Sequence, residues 1–148
     1  MKILIINGPN INMLGIREPE IYGNETYEDL KNAVLKAAEK ENAHCDFFQS
    51  NHEGDIIDEI QRAYGKYDGI IINPAGYTHT SVAIPDALKA VGIPAWEVHI
   101  SDIEKREDFR KRSFVTPACK GCIKGQGING YCIALKELSD FLNKRKSI

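Results

Sequence analysis

Residues 69–98 read GIIINPAGYTHTSVAIPDALKAVGIPAWEV, and the fold is decided in this stretch. Gly69–Ile72 is a strand candidate whose apolar character is continuous rather than alternating, as expected of a strand covered on both faces. A helix is predicted over about Ser81–Val91, where Pro85 is tolerated only near the first turn. Pro94–Val98 supplies the next strand. Strand, helix and strand in succession predict a parallel sheet with helices packed against each face.

The alternation continues in both directions. Ile3–Ile6 is the first strand candidate. Thr26-Tyr-Glu-Asp29 fits a capping box opening a helix to about Asn42, with Leu30, Ala33, Val34, Ala37 and Ala38 on one face. His44–Phe48 reads as the second strand, and a helix from about Asp55 to Tyr64 turns Ile56, Ile57 and Ile60 inward. After Val98 come a short helix near Glu104–Phe109 and an irregular stretch with Pro117 and four glycines between 121 and 130. Cys119–Lys124 holds a fifth short strand, and Tyr131–Lys144 is the closing helix. Five strands in 148 residues point to an α/β, flavodoxin-like doubly wound parallel sheet with helices on both faces. No repeat, low-complexity run or linker divides the chain, so residues 1–148 read as one catalytic domain.

Charge narrows the function. The 19 basic and 21 acidic residues leave a formal charge of −2, without the basic stripe of a nucleic-acid or membrane-surface protein. The opening Met-Lys runs straight into Ile-Leu-Ile-Ile, too short a run for a signal peptide, and nothing approaches a membrane span. A soluble, cytoplasmic chain is expected. Cys45, Cys119, Cys122 and Cys132 follow no disulfide framework and read as reduced thiols. Cys119 and Cys122 form a CxxC, but no second CxxC or paired histidine completes a structural zinc site. It also stands too late in the chain for a thioredoxin-like motif. Gly125-Gln-Gly-Ile-Asn-Gly130 matches GxGxxG, yet a dinucleotide fingerprint belongs in the first strand-to-helix turn. It reads instead as a turn into the last helix.

Ligands of open α/β sheets bind outside the carboxyl ends of the strands. Three polar loops follow apolar strands: Asn7-Gly-Pro-Asn10, Asn73-Pro-Ala-Gly-Tyr-Thr-His79-Thr-Ser81, and His99-Ile-Ser101. Together they predict a site at one rim of the sheet. The loop from Asn7 to Glu25 shows no periodicity and carries Arg17, Glu18 and Tyr22. Its length suits a lid at about residues 15–24, with Gly8, Gly15 and Gly23 as hinges. Its alternative is a solvated loop. Glu97 and His99 stand two apart, on one face of the fourth strand. A carboxylate beside an imidazole orients the ring and favours its charged form, which suits a general acid. Thr80 and Ser81 are either ordinary helix caps or, with the free amides there, a carboxylate or phosphate site. Arg106 and Arg110 are expected to share one face of the short helix. Arg110 either reaches across the rim or belongs, with Arg106, Lys105, Lys111 and Arg112, to a solvated patch.

The segment Asn7–Gly23 resembles the N-terminal signature of type II 3-dehydroquinate dehydratases. So do Gln49–Gly54, Asn73–Leu88, Glu97–Ser101 and Gly127–Leu135, in the family's order and over essentially the whole chain. The resemblance implies a cofactor-independent lyase, without metal, carrying out the reversible anti dehydration of 3-dehydroquinate to 3-dehydroshikimate. That step belongs to the shikimate pathway of aromatic amino acid biosynthesis, or to quinate breakdown. The resemblance further implies a homo-oligomer, a dodecamer built from four trimers. Position by position, Tyr22 matches the proton acceptor and His99 the proton donor. Arg17 matches the residue that stabilises the transition state and keeps the tyrosine reactive. Asn10 matches the position that helps hold a water near the enolate, and Glu97 the partner of the histidine. Asn73, His79, Arg110 and the Ile100 and Ser101 amides match substrate contacts. Asp86 matches an acidic residue acting at the subunit interface. Three departures stand out: Ala75-Gly76 where many relatives read Gly-Ala, Pro85 in the following helix, and the Cys119–Cys122 pair.

The residues suit the reaction. A free tyrosine, with a pKa near 10, is a poor base at neutral pH; a guanidinium five residues away on the same loop favours its anion. Asn10 offers hydrogen bonding to a developing enolate, and His99 a proton to the departing hydroxyl. No metal, nucleotide or lysine imine is called for. Two rival readings are a flavodoxin-like module binding a nucleotide or flavin, and a thiol redox or metal protein built on the CxxC.

Overall fold

The computed structural model describes residues 1–147. Its strands are β1 (Lys2–Asn7), β2 (His44–Gln49), β3 (Gly69–Asn73), β4 (Ala95–His99) and β5 (Gly121–Lys124). Its helices are α1 (Pro19–Tyr22), α2 (Tyr27–Lys40), α3 (Glu53–Arg62), α4 (Ala83–Val91) and α5 (Asn129–Lys146). The strands form one sheet in the order β2-β1-β3-β4-β5, every neighbour parallel. This is the flavodoxin-like doubly wound order, in which the chain reverses direction between β1 and β3.

Strand periodicity divides the core in two. Ile3, Ile5, Ile71, Trp96 and Val98 pack under α2 and α5, with Leu30, Val34, Leu135 and Leu138. Leu4, Ile6, Ile70, Ile72 and Ala95 face α3 and α4, with Ile56, Ile60, Ile84 and Leu88. The inner strands β1, β3 and β4 bury both faces, which is why the apolar runs of β1 and β3 are unbroken, whereas the edge strands β2 and β5 are mostly half-buried.

The predicted capping box is formed. The Thr26 hydroxyl accepts from the Asp29 amide at 3.1 Å, and the Asp29 carboxylate accepts from the Thr26 amide at 2.9 Å. Pro85 is the third residue of α4, a first-turn position where its missing N–H has no intrahelical partner to lose.

Two expectations are corrected. The segment after β1, read as a loop without periodicity, contains two short elements: Ile11–Met13 forms a 3-10 turn and Pro19–Tyr22 a short helix. The short helix near 104–109 is instead two 3-10 turns, Ile103–Lys105 and Asp108–Arg110, separated by an extended Arg106. Arg106 and Arg110 therefore do not share a helical face. No helix among the described residues is long and apolar enough to cross a membrane.

Candidate active site

The carboxyl ends of β1, β3 and β4 bring their polar loops to one rim. Gly8 donates its amide to the Asn73 carbonyl at 2.8 Å. A Cβ at Gly8 would stand 2.5 Å from the Pro74 carbonyl oxygen, so close approach, not hinge freedom, is what this glycine provides. Asn51, after β2, ties the rim together: its side chain accepts from the Asn10 amide at 3.1 Å, and its carbonyl accepts from the Tyr77 hydroxyl at 2.8 Å. A cavity of about 150 Å³ opens here. Asn10, Arg17, Tyr22, Asn73, His79, His99, Ile100, Ser101 and Arg110 line it, all of them anticipated from sequence. Arg106 lines it too, whereas no acidic side chain does.

Behind the cavity, His99 Nε2 meets Glu97 Oε2 at 2.5 Å, with His99 almost fully buried and Glu97 fully so. The carboxylate also accepts from Ser113 Oγ at 2.9 Å and from Thr116 Oγ1 at 2.5 Å. Burial by itself would push the Glu97 carboxyl up. The His99 hydrogen bond and charge, then Thr116 and Ser113, outweigh it and hold the group below the usual carboxylate range. Glu97 is thus a fixed acceptor that sets the ring of His99. At His79, burial lowers the imidazole below its ordinary value despite a 2.7 Å contact between Nδ1 and the Arg112 carbonyl.

The segment carrying Arg17 and Tyr22 lies against the same cavity. Gly15 and Gly23 bracket it at φ +87° and +83°, a backbone region that favours glycine. The Arg17 guanidinium carbon stands 4.4 Å from the centre of the Tyr22 ring. Arg106 Nη1 donates to the Tyr22 hydroxyl at 2.7 Å. Two guanidinium groups thus surround one phenol, Arg106 at its oxygen and Arg17 over its ring. Sequence reasoning left Arg106 with no role of its own, beside Arg110 on one face or in a solvated patch. The contact spans 84 positions of chain, and the only signal available was its place in the loop following β4.

A second feature went unread. Tyr131 on α5 is fully buried, and its hydroxyl donates to Asn7 Oδ1 at 2.6 Å and accepts from Asn73 Nδ2 at 2.9 Å. Asn7 and Asn73 close the paired strands β1 and β3 and are register partners. The repeated Ile-Ile-Asn at residues 5–7 and 71–73 was the available clue. Tyr131→Phe leaves two buried amide groups short of a partner. We expect it to cost about 1–3 kcal/mol in urea denaturation. A change below about 0.5 kcal/mol would show that the network contributes nothing.

The Ala75-Gly76 order has a structural consequence. Ala75, not Gly76, takes the left-handed conformation, at φ 54°, which disfavours any residue bearing a Cβ. Its amide donates to Asn73 Oδ1 at 3.0 Å, which holds the turn. Ala75→Gly is expected to raise stability by about 0.5–1 kcal/mol, relief of strain exceeding the added chain entropy. Thermal denaturation that shows a loss would contradict this.

Several other expectations have definite outcomes. Ser81 is a helix cap: its hydroxyl accepts from the Ile84 amide at 3.0 Å. Arg110 does face the cavity, with its Nε on Glu107 at 2.8 Å. Asp86 is exposed on α4 and is not among the cavity-lining residues. Gly125 and Gly127 take positive φ in the turn from β5 into α5. All four cysteines are free. Burial, then the Glu97 charge, push the Cys122 thiol up to about 12 and raise Cys119 as well, the reverse of a redox-active thiolate.

Comparison with known proteins shows the family of the chain. A family model described as Dehydroquinase class II matches residues 1–139. A 3-dehydroquinate dehydratase of Caldicellulosiruptor bescii is 56% identical over 143 residues, covering 96% of this chain and 99% of the relative. One from Francisella philomiragia is 52% identical over 145 residues, covering 98% and 99%. Among solved structures, a type II dehydroquinase of Butyrivibrio crossotus superposes with a TM-score of 0.91 at 54% identity, covering 93% of this chain and 97% of that one. Another, from Propionibacterium acnes, gives 0.90 at 38% identity, covering 94% and 96%. On the match across nearly its whole length, the chain belongs to the class II dehydroquinase family.

Proposed function

We propose that the chain catalyses the reversible anti dehydration of 3-dehydroquinate to 3-dehydroshikimate through an enolate, with Tyr22 as base and His99 as acid. One observation carries this reading. A phenol held by two guanidinium groups and an imidazole backed by a buried carboxylate line one cavity that has no acidic side chain.

In this mechanism the Tyr22 oxygen takes the proton beside the ketone, and the C–H electron pair passes into the enolate. Arg17 and Arg106 hold the phenolate, and Arg17 stabilises the charge that develops in the transition state. Asn10 positions a water on the enolate oxygen. The enolate then re-forms the ketone and expels the β-hydroxyl, which leaves as water with a proton from His99. Arg110, Asn73, His79 and the Ile100 and Ser101 amides hold the substrate's carboxylate and hydroxyls. Residues 15–24 act as a lid that excludes water while the base is in place. Asp86, on the outer face of α4, acts between subunits of a dodecamer of four trimers. The single domain works in the cytoplasm, in the shikimate pathway, without a cofactor.

The decisive assay follows the ultraviolet absorption of the conjugated enone acid formed from 3-dehydroquinate. Product should accumulate with no added cofactor and survive borohydride treatment of the enzyme, because no imine forms. Absence of product, or inactivation by borohydride with substrate present, would overturn the reading. Light scattering on the eluted oligomer tests the twelve-subunit assembly.

A further inference from the structure

The side of the acid pair away from the cavity holds a group that the proposed dehydration does not use. Strands β4 and β5 are parallel, with Glu97 opposite Cys122 and His99 opposite Lys124. Side chains of register partners project to the same face of a sheet, so the Cys122 thiol is delivered beside the Glu97–His99 pair. One ligating atom from each of Glu97, His99 and Cys122 lies within 4.8 Å of the other two. Lys124, on the same face of β5 as Cys122, pairs with Glu104 at 3.0 Å.

We propose that Glu97, His99 and Cys122 form an inhibitory site for a thiophilic divalent cation such as Zn²⁺ or Co²⁺. A carboxylate oxygen, an imidazole nitrogen and a thiolate are ordinary zinc donors, and three protein ligands with an open fourth position form a familiar set. Metal–ligand distances of about 2.0–2.3 Å in a tetrahedron put donor atoms about 3–4 Å apart. His99 Nε2 and Glu97 Oε2 stand 2.5 Å apart and all three donors lie within 4.8 Å of one another, so small side-chain adjustments bring them to that spacing. Binding inserts the cation between His99 Nε2 and Glu97 and releases the Cys122 thiol proton to solvent. It thereby takes the imidazole away from the carboxylate that orients it. Cys122 supplies the soft ligand, and water fills the fourth position.

The binding test does not depend on the dehydratase reading. Co²⁺ is titrated into the intact enzyme under reducing conditions, followed by near-ultraviolet absorption. A thiolate-to-cobalt charge-transfer band is expected in the wild type and in Cys119→Ser, and not in Cys122→Ser. In the enone assay Zn²⁺ should inhibit the wild type, with recovery on adding a chelator. Cys122→Ser should keep its metal-free activity and need at least about tenfold more Zn²⁺ for the same inhibition. Equal inhibition of the two proteins, or no charge-transfer band in the folded wild type, would overturn the proposal. Should Cys122→Ser fail to fold, the wild type and Cys119→Ser decide: a saturable band in both supports the site, and its loss in Cys119→Ser rejects the ligand set.

Discussion

Tyr22→Phe is expected to lower kcat by about 10²–10⁴-fold, the usual contribution of a positioned acid–base group, while substrate affinity stays close to wild type. The ring and its contacts with Arg17 and Arg106 survive the change; only the hydroxyl that accepts from Arg106 is lost. No other side chain in the cavity offers a comparable anionic base, since no acidic residue lines it. Turnover by the enone assay and binding by calorimetry separate the two effects. Near-wild-type turnover would eliminate Tyr22 as the base. A loss confined to KM would assign it to binding instead.

His99→Ala is the second large effect, because it acts on catalysis and on stability together. Loss of the acid should again cost about 10²–10⁴ in kcat. It also strips the fully buried Glu97 of one of its two closest partners, which should cost about 1–3 kcal/mol of stability. The pH dependence makes this specific. In the wild type the Glu97 carboxyl lies below the ordinary range. Its contribution is therefore complete above the unfolded value near 4.3 and is lost as pH falls through the lower folded value. In the variant burial is no longer opposed by the imidazole, and the carboxyl moves upward. The stability deficit should be largest at neutral pH and shrink as pH falls through the carboxylate range. Chemical denaturation at several pH values measures it; a deficit independent of pH would mean that Glu97 was not held by His99.

The loop after β1 shows how reading and structure complement each other. Its length and its glycines marked it as a candidate lid, and Arg17 and Tyr22 were singled out within it by the family resemblance. Its internal turns were not, since four-residue elements leave no hydrophobic period. The Glu97–His99 pairing was legible because two residues apart on a strand share a face. The role of Ser113 and Thr116 in holding Glu97 was not, because that contact is made by an irregular segment folding back over the strand.

By itself the sequence determined the strand and helix alternation, the burial of the inner strands on both faces, the three polar loops and the capping of α2. These rest on local patterns: continuous apolar runs, helical spacing and capping chemistry. Only the tertiary structure decided the strand order, the grip of Arg106 on Tyr22, the Tyr131 bridge between Asn7 and Asn73, and the placing of Cys122 beside Glu97. Each of these depends on register and on contacts between segments far apart in the chain, where no local periodicity carries information. The chemistry was written in residue types, and its geometry came from the order in which the sheet assembles.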